Sequence, residues 1–433
     1  MRCYHPLQLG EGNSSFLWGV ATSTFQDSGT IHCPSSQWAH WERRLLAPAQ
    51  WSKRGVDLFS MYGGQSEELL SRLEQLQVNS YRFSVDWSQI EPEQGEWKEA
   101  KLEVYCRWCE ALVDRAIEPV VTLHHFSEPR WFHDLGSFEK EGNSDHFVRF
   151  CQRVVERLAA PYGNRNLVRY FLTFNEPTVE ASCRYLLGLF SPGLYGRVAR
   201  GERFLLQMIA AHAKVYALLK EGGLCDRSTQ IGFSHQYLHF LPNCRFARPL
   251  TSLLNRYQEQ LFSLFAPHQP GRLSAVPPTD FVGVQFYGRV HVGWRGVQSC
   301  GRLPTTMMGI YEDPEGLFEA VTRVYDVFRV PLFISENGIS TSCDEQRSRY
   351  LIKALSHAEA ARRAIGEENL KGYFLWSFCD NFEWCLGWQA HFGAYGLTSD
   401  RKLQPHYKVG VRPFVDAISG WKRTTISPRG AQS

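Results

Sequence analysis

Short apolar runs alternate with longer amphipathic stretches along most of this chain. The apolar runs lie at residues 16–23, 80–87, 118–125, 168–177, 230–239, 280–290, 331–338 and 372–380. Helical spacing of apolar residues follows at 66–78, 102–116, 145–159, 201–221, 253–265, 315–328, 347–365 and 406–418. Near-continuous apolar runs are typical of strands that are buried on both faces, as in a parallel sheet. Eight consecutive strand–helix units predict an α/β protein, a single (β/α)8 TIM barrel.

The bulk composition narrows the class of protein. No low-complexity tract or Pro/Gly/Ser-rich linker divides the 433 residues, so we expect residues 1–433 to form one domain. The 47 Lys and Arg residues nearly balance the 44 Asp and Glu residues, with no basic run suited to nucleic acid. No stretch reaches the roughly 20 apolar residues of a membrane span. We expect a cytoplasmic protein, with removal of a signal peptide as the alternative.

Cysteines and aromatic residues are numerous, and each group has a structural interpretation beside a functional one. Cys106 and Cys109 form a CxxC pair, but they lie inside a predicted helix without a second pair at zinc-site spacing. We therefore interpret the 12 cysteines as reduced thiols. The 13 tryptophans fill a core or stack on sugar rings, and composition alone favours the core. No metal-binding or nucleotide-binding motif is present, so we expect neither metal nor cofactor.

Polar residues stand at the ends of the predicted strands, where a barrel carries its active site. Polar groups at the end of a buried strand cost free energy unless they have partners or a task. We therefore predict that the following residues form one site at the barrel mouth: Gln26, His125, Asn175, Glu176, Tyr287, Glu336, Trp376, Glu383 and Trp384.

Five segments carry a resemblance to a known family. They read FLWGVATS from residue 16, YRFSVDW from 81, TFNEP from 173, ISENG from 334 and LWSFCDNFEW from 375. Together they resemble the signature segments of glycoside hydrolase family 1, which holds β-glucosidases, β-galactosidases and their relatives. The matches stand in family order and extend from about residue 16 to residue 407. The resemblance implies a retaining β-glycosidase, foremost a β-glucosidase with possible β-galactosidase or β-fucosidase activity, that hydrolyses terminal β-linked sugars.

The resemblance also assigns the reacting groups. Glu336 corresponds to the nucleophile, and Glu176 corresponds to the general acid/base. Arg82 and Tyr287 correspond to residues that hold the nucleophile in its ionised form. Retaining enzymes need their two carboxyl groups about 5–5.5 Å apart, which neighbouring strand ends of a barrel can provide. Without the flanking motifs, two strand-end glutamates would more simply be members of buried ion pairs.

Further residues correspond to the sugar-binding positions of the family. By resemblance, Asn175 bonds the 2-hydroxyl, and Gln26 and His125 bind hydroxyls on the far side of the ring. Trp376 forms the platform beneath the sugar, and Glu383 with Trp384 binds the 4- and 6-hydroxyls. The structural alternatives are a core histidine for His125 and a helix cap for Glu383. We interpret His124 as structural.

Several departures from the family pattern leave alternatives open. Phe126, Gln285 and Asp27 stand where Trp, Asn and Ile are more usual, and no lysine follows Trp384 within Gln389-Ala390-His391. A 6-phospho-β-glycosidase is one alternative, although a phosphate needs a cationic clamp that this stretch lacks. A transglycosylase with the same two glutamates is another. A catalytically silent, klotho-like binding module is the third.

Overall fold

A closed barrel of eight parallel strands forms the centre of the computed structural model, which describes residues 16–225, 228–266, 278–293, 296–297 and 304–426. Each strand pairs with the next along the chain, and the last pairs with the first. The strands are β1 (Leu17–Ala21), β2 (Ser80–Ser84), β3 (Glu118–Thr122), β4 (Tyr170–Asn175), β5 (Gln230–Gln236), β6 (Phe281–Phe286), β7 (Leu332–Asn337) and β8 (Leu370–Trp376). The predicted TIM barrel is confirmed. Residues 1–15, on which the expectation about a signal peptide rests, lie outside the described ranges.

Eight helices pack around the barrel, one after each strand. They are α1 (Ser66–Gln75), α2 (Glu99–Asp114), α3 (Ser144–Leu158), α4 (Val198–Tyr216), α5 (Arg248–Ser263), α6 (Gly316–Phe328), α7 (Asp344–Ile365) and α8 (Arg412–Ile426). Helix α3 illustrates the predicted pattern, since Phe147, Phe150 and Val154 on one face are fully buried. The last helix begins at Arg412, later than expected, after a 3-10 turn at Val409–Val411. In the described part of the chain, no helix combines the length and the apolar character of a transmembrane segment.

The connections carry short elements that the apolar pattern does not predict. Helical segments occur at Thr24–His32, Gln37–Leu45, Leu58–Gly64, Trp87–Ile90, Arg130–Asp134 and Pro177–Ala181. Short strands outside the barrel occur at Pro161–Tyr162, Arg165–Asn166, Phe240–Pro242, Val290–Gly293 and Gly296–Val297. All six helical segments lie in connections that begin at the C-terminal end of a strand, which is the end that carries the predicted site residues.

The barrel interior is filled at one end and polar at the other. Phe281, Phe333 and Phe374 pack together inside the barrel with ring centroids 5.1–6.2 Å apart. Gly283 lies one layer above Phe281, and a Cβ there would overlap the hydroxyls of Ser234 and Ser335. Because this end is closed by aromatic rings, a ligand can enter only from the C-terminal end of the strands.

The CxxC pair lies inside a helix, as expected. Cys106 and Cys109 are both buried thiols within α2, and burial raises the pKa of the Cys106 thiol to about 11. A thiol with a raised pKa is a poor metal ligand and a poor nucleophile, because the thiolate is the reactive form. These two cysteines therefore act as small core residues.

Candidate active site

A buried arginine and a buried glutamate form the centre of the barrel mouth. Arg82 on β2 donates from Nη1 to Oε1 of Glu336 on β7, at 2.5 Å. The hydroxyl of Tyr287 donates to the other oxygen, Oε2, at 2.6 Å. Burial raises the pKa of Glu336 above its usual value, and the Arg82 guanidinium and the Tyr287 hydroxyl offset part of that rise. Both carboxylate oxygens are thus held by donors that favour the ionised form.

Glu176 is the second carboxyl group, and its environment differs. It follows β4 directly, its backbone N–H donates to the Ser234 carbonyl at 2.9 Å, and its φ of 44° lies in the left-handed region. Such a backbone is uncommon for a non-glycine residue and is often found at functional sites. Burial and then the charge of Glu336 raise the pKa of Glu176 well above its usual range. The two glutamates therefore titrate apart, and Glu336 ionises first.

Asn175 lies beside this pair at the end of β4. Its Oδ1 accepts hydrogen bonds from Arg82 Nη2 at 2.7 Å and from Gln285 Nε2 at 2.7 Å. Arg82 also donates from Nε to Thr122 Oγ1 at 3.2 Å, so its guanidinium is anchored on three sides. The carboxamide of Asn175 is therefore fixed relative to Glu336 through one shared arginine.

Gln26 and Glu383 meet on another side of the mouth. Gln26 Nε2 donates to the Phe382 carbonyl at 2.9 Å and to Glu383 Oε2 at 3.3 Å. Burial and then the charge of Glu336 raise the pKa of Glu383 to about 8, against the lowering effect of Gln26. Gln26 Oε1 and His125 Nδ1 are buried and have no hydrogen-bond partner among the described residues. Buried polar atoms without partners are unusual, and here they offer hydrogen bonds to a ligand.

Aromatic rings form the walls of the site. The His125 ring is nearly parallel to the rings of Trp376 and Trp384, at centroid distances of 6.0 and 6.3 Å and angles of 18° and 20°. Trp384 also stacks on Phe25 at 5.8 Å and 8°. Burial lowers the pKa of His125 well below its usual range, so its ring is neutral. Flat apolar faces beside hydrogen-bonding groups are the surface that a sugar ring requires.

All of the site residues predicted from the sequence lie at this end of the barrel. Hydrogen bonds join Arg82, Asn175, Tyr287 and Glu336 into one group. A second group contains Gln26 and Glu383, and the ring contacts of His125, Trp376 and Trp384 form a third. Burial, and then repulsion from Glu336 and Glu383, raises the pKa of Glu176, which links this residue to both carboxyl groups.

A buried charge network that was not predicted from the sequence follows Glu176. Glu180 accepts from Arg184 Nε at 2.9 Å and contacts His124 Nε2 at 2.9 Å, while Arg184 Nη1 donates to Glu128 at 2.9 Å. This network ties the helix that follows Glu176 to the end of β3, which carries His125. His124 is therefore structural, as interpreted. In the sequence, the i,i+4 spacing of Glu180 and Arg184 indicates that these two residues can form an ion pair on one helix face.

Comparison with known proteins identifies the family. The family model described as Glycosyl hydrolase family 1 matches residues 11–266 and 295–410. The chain belongs to glycosyl hydrolase family 1. It is therefore a glycosidase that acts on O-glycosyl bonds.

Relatives in family 1 include enzymes with two kinds of substrate. Beta-glucosidase A of Acetivibrio thermocellus is 25% identical over 438 residues, covering 90% of this chain and 95% of the relative. A 6-phospho-beta-galactosidase of Streptococcus mutans is 26% identical over 457 residues, covering 89% and 93%. The beta-glycosidase from Pyrococcus horikoshii has a similar structure, with a TM-score of 0.79 at 26% identity, covering 98% of this chain and 99% of that chain.

Proposed function

We propose that this family 1 enzyme is a retaining β-glycosidase in which Glu336 is the nucleophile and Glu176 is the general acid/base. Residues 1–433 would act as one barrel domain on a small β-glycoside or oligosaccharide. The observation that carries the assignment is the difference between the two carboxyl groups. Arg82 and Tyr287 donate to both oxygens of Glu336, whereas burial and the charge of Glu336 favour the protonated form of Glu176.

The proposed reaction has two steps. In the first, Glu336 attacks the anomeric carbon from the face opposite the leaving oxygen, and an ester bond forms as the glycosidic bond breaks. Glu176 gives its proton to the leaving oxygen. In the second step, Glu176 takes a proton from water, which attacks the anomeric carbon and releases Glu336. Both residues return to their starting protonation states, and two inversions retain the β-configuration.

The polar groups around the mouth suit a sugar with free hydroxyls. We infer that Asn175 contacts the 2-hydroxyl, that Gln26 and His125 bind hydroxyls farther round the ring, and that Trp376 supports the apolar face of the ring. Glu383 and Trp384 would bind the 4- and 6-hydroxyls. With its pKa raised to about 8, Glu383 keeps a proton near neutral pH and can both donate and accept. We propose β-glucosides as the main substrates, with β-galactosides and β-fucosides as secondary substrates.

A 6-phospho-β-glycosidase is the second candidate, because the Streptococcus mutans relative bears that activity in its name. The residues here favour the unphosphorylated substrate. Glu383 at the proposed 6-hydroxyl position offers no positive charge to a dianionic phosphate, and its carboxylate would repel the phosphate as the pH rises above its pKa of about 8. Lys408 donates to both oxygens of Asp380 at 2.7 and 2.8 Å, so its charge is already paired and does not serve as a phosphate clamp.

We further infer that the enzyme works in the cytoplasm, on the support of its buried free thiols. Cys33, Cys109 and Cys151 are fully buried and form no disulfide within the described ranges. Reduced cysteines in such number are typical of cytosolic proteins. Fractionation of the native host cells, followed by immunodetection, tests the location. Recovery in a secreted or periplasmic fraction would contradict the inference.

A panel of nitrophenyl β-glycosides tests the substrate class. We expect turnover of the β-glucoside at least about tenfold above that of its 6-phosphate analogue, with Glu336→Gln as the inactive control. The reverse preference would establish the second candidate, and no turnover of any glycoside would refute the proposal. Proton NMR of the first product should show the β-anomer, since an α-anomer at early times excludes double displacement. An added alcohol acceptor measures how far transglycosylation competes with hydrolysis.

A further inference from the structure

The orientation of the Asn175 carboxamide is determined by two donors. A guanidinium can only donate, so the atom that faces Arg82 Nη2 at 2.7 Å must be Oδ1. Gln285 contacts the same oxygen at 2.7 Å, and it must present Nε2, because two amide oxygens at that distance would repel each other. The amino group of Asn175, Nδ2, is therefore the part of the side chain left for a ligand.

Gln285 reaches Asn175 across the inside of the barrel. It is fully buried on β6, where it is the register partner of Glu336 on β7, and β5 lies between β6 and β4. Its own Oε1 is buried and has no hydrogen-bond partner within the described ranges. The Gln285 amide therefore acts through the hydrogen bond that its Nε2 donates to Asn175. Its Oε1 costs free energy, because it is buried without a partner.

We propose that Gln285 is a positioning residue for recognition of the substituent at carbon 2 of the sugar. It locks the Asn175 carboxamide so that Nδ2 donates to the 2-oxygen. Arg82 alone would hold Asn175 less firmly, because the same guanidinium also serves Glu336 and Thr122. This inference rests on the proposed function, and it deepens that function by assigning 2-hydroxyl recognition to a pair of amides. Gln285 itself need not contact the sugar.

Gln285→Met provides the test, since methionine has a similar length and no donor. The readout is kcat/KM for nitrophenyl β-glucoside and for its 2-deoxy analogue, each corrected for hydrolysis without enzyme. We expect the value for the glucoside to fall about tenfold, the usual worth of one buried hydrogen bond, and the value for the 2-deoxy analogue to change less than about twofold. An equal fall for both substrates would indicate a merely structural role and overturn the proposal.

Two controls make the result specific. Gln285→Met added to Asn175→Ala should cause no further loss on the glucoside, because the proposed effect passes through Asn175. Gln89→Met removes another buried glutamine, one that accepts from Tyr105 at 2.8 Å, and should leave the ratio of the two substrates unchanged. Gln285→Ala gives a second variant if Gln285→Met does not fold. If the wild type hydrolyses the glucoside but Gln285→Met keeps the wild-type ratio of kcat/KM for the two substrates, the positioning role alone is refuted. If the wild type has no turnover, the proposed function is refuted.

Discussion

Removing the Tyr287 hydroxyl should change the acidity of the proposed nucleophile without changing any charge. Tyr287→Phe deletes the donor to Glu336 Oε2 at 2.6 Å and keeps the aromatic ring, which packs on Phe392 at 5.4 Å. Arg82 stays in place on the other oxygen. The ionised form of Glu336 therefore loses one of its two stabilising partners, while the protonated form loses little.

The size of the effect follows from the strength of that hydrogen bond. A hydrogen bond to a charged group contributes about 1.5–3 kcal/mol, and one pKa unit corresponds to about 1.36 kcal/mol. The pKa of Glu336 should therefore rise by about 1–2 units. Attack requires the carboxylate, so the acidic limb of the pH profile should move to higher pH by the same amount. The basic limb, which reflects loss of the Glu176 proton, should stay in place.

The assay is kcat/KM for an aryl β-glucoside across the pH range in which the protein stays folded, because this quantity reports on the free enzyme. Tyr105→Phe is the matched control, since Tyr105 is also buried and donates to an uncharged partner, Gln89 Oε1, at 2.8 Å. Its two limbs should coincide with those of the wild type. An acidic limb that stays in place or moves to lower pH in Tyr287→Phe would refute the reasoning.

Further predictions address the other acidic groups. Glu176→Ala should lower kcat/KM by about 10²–10⁴-fold for glycosides with poor leaving groups and far less for dinitrophenyl glycosides, which leave without protonation; equal losses would contradict its role. Glu336→Gly should abolish hydrolysis, and azide or formate should restore part of the turnover by entering the vacated space, which steady-state rates with added anion will measure. Glu383→Gln should raise Tm by roughly 5 °C at pH 9 and have little effect at pH 4. The reason is that the pKa of Glu383 is about 8 in the native state and near 4.5 in the unfolded chain. Between these pH values the native state holds a proton that the unfolded chain has released, so stability declines as the pH rises from about 4.5 to about 8. Thermal unfolding at both pH values tests this, and equal shifts would show that burial of the charge is not the cause.

The barrel itself could be predicted because its strands are buried on both faces and are therefore apolar along nearly their whole length. The predicted run 118–125 begins where β3 begins, at Glu118, but the strand ends at Thr122. Likewise, the predicted run 372–380 extends past the end of β8 at Trp376. The residues that follow, such as Leu123 and Phe378, are buried although they are not in strands. An apolar run therefore marks burial, and it continues past the end of the strand into buried loop residues.

The site residues at strand ends could be predicted, but their partners could not. Gln26 lies in a kinked helical segment, Thr24–His32, where Gly29 has a φ of 53°, and no periodicity indicates this element. The contact between Gln285 and Asn175 joins residues 110 positions apart, so only the closed barrel brings them together. In the sequence, Gln285 can be recognised as a departure from the family pattern. Its hydrogen bond to Asn175 can be recognised only in the folded barrel.

Covalent trapping tests the proposed division of roles between the two glutamates most directly. A 2-deoxy-2-fluoro-β-glucoside with a dinitrophenyl leaving group should form a stable glycosyl ester, because the fluorine slows both steps whereas the good leaving group speeds only the first. Mass spectrometry of the digested protein should find one added fluoroglucosyl group per chain, on the peptide that contains Glu336. A label on Glu176 or Glu383, or steady turnover of a β-glucoside without any label, would contradict the account.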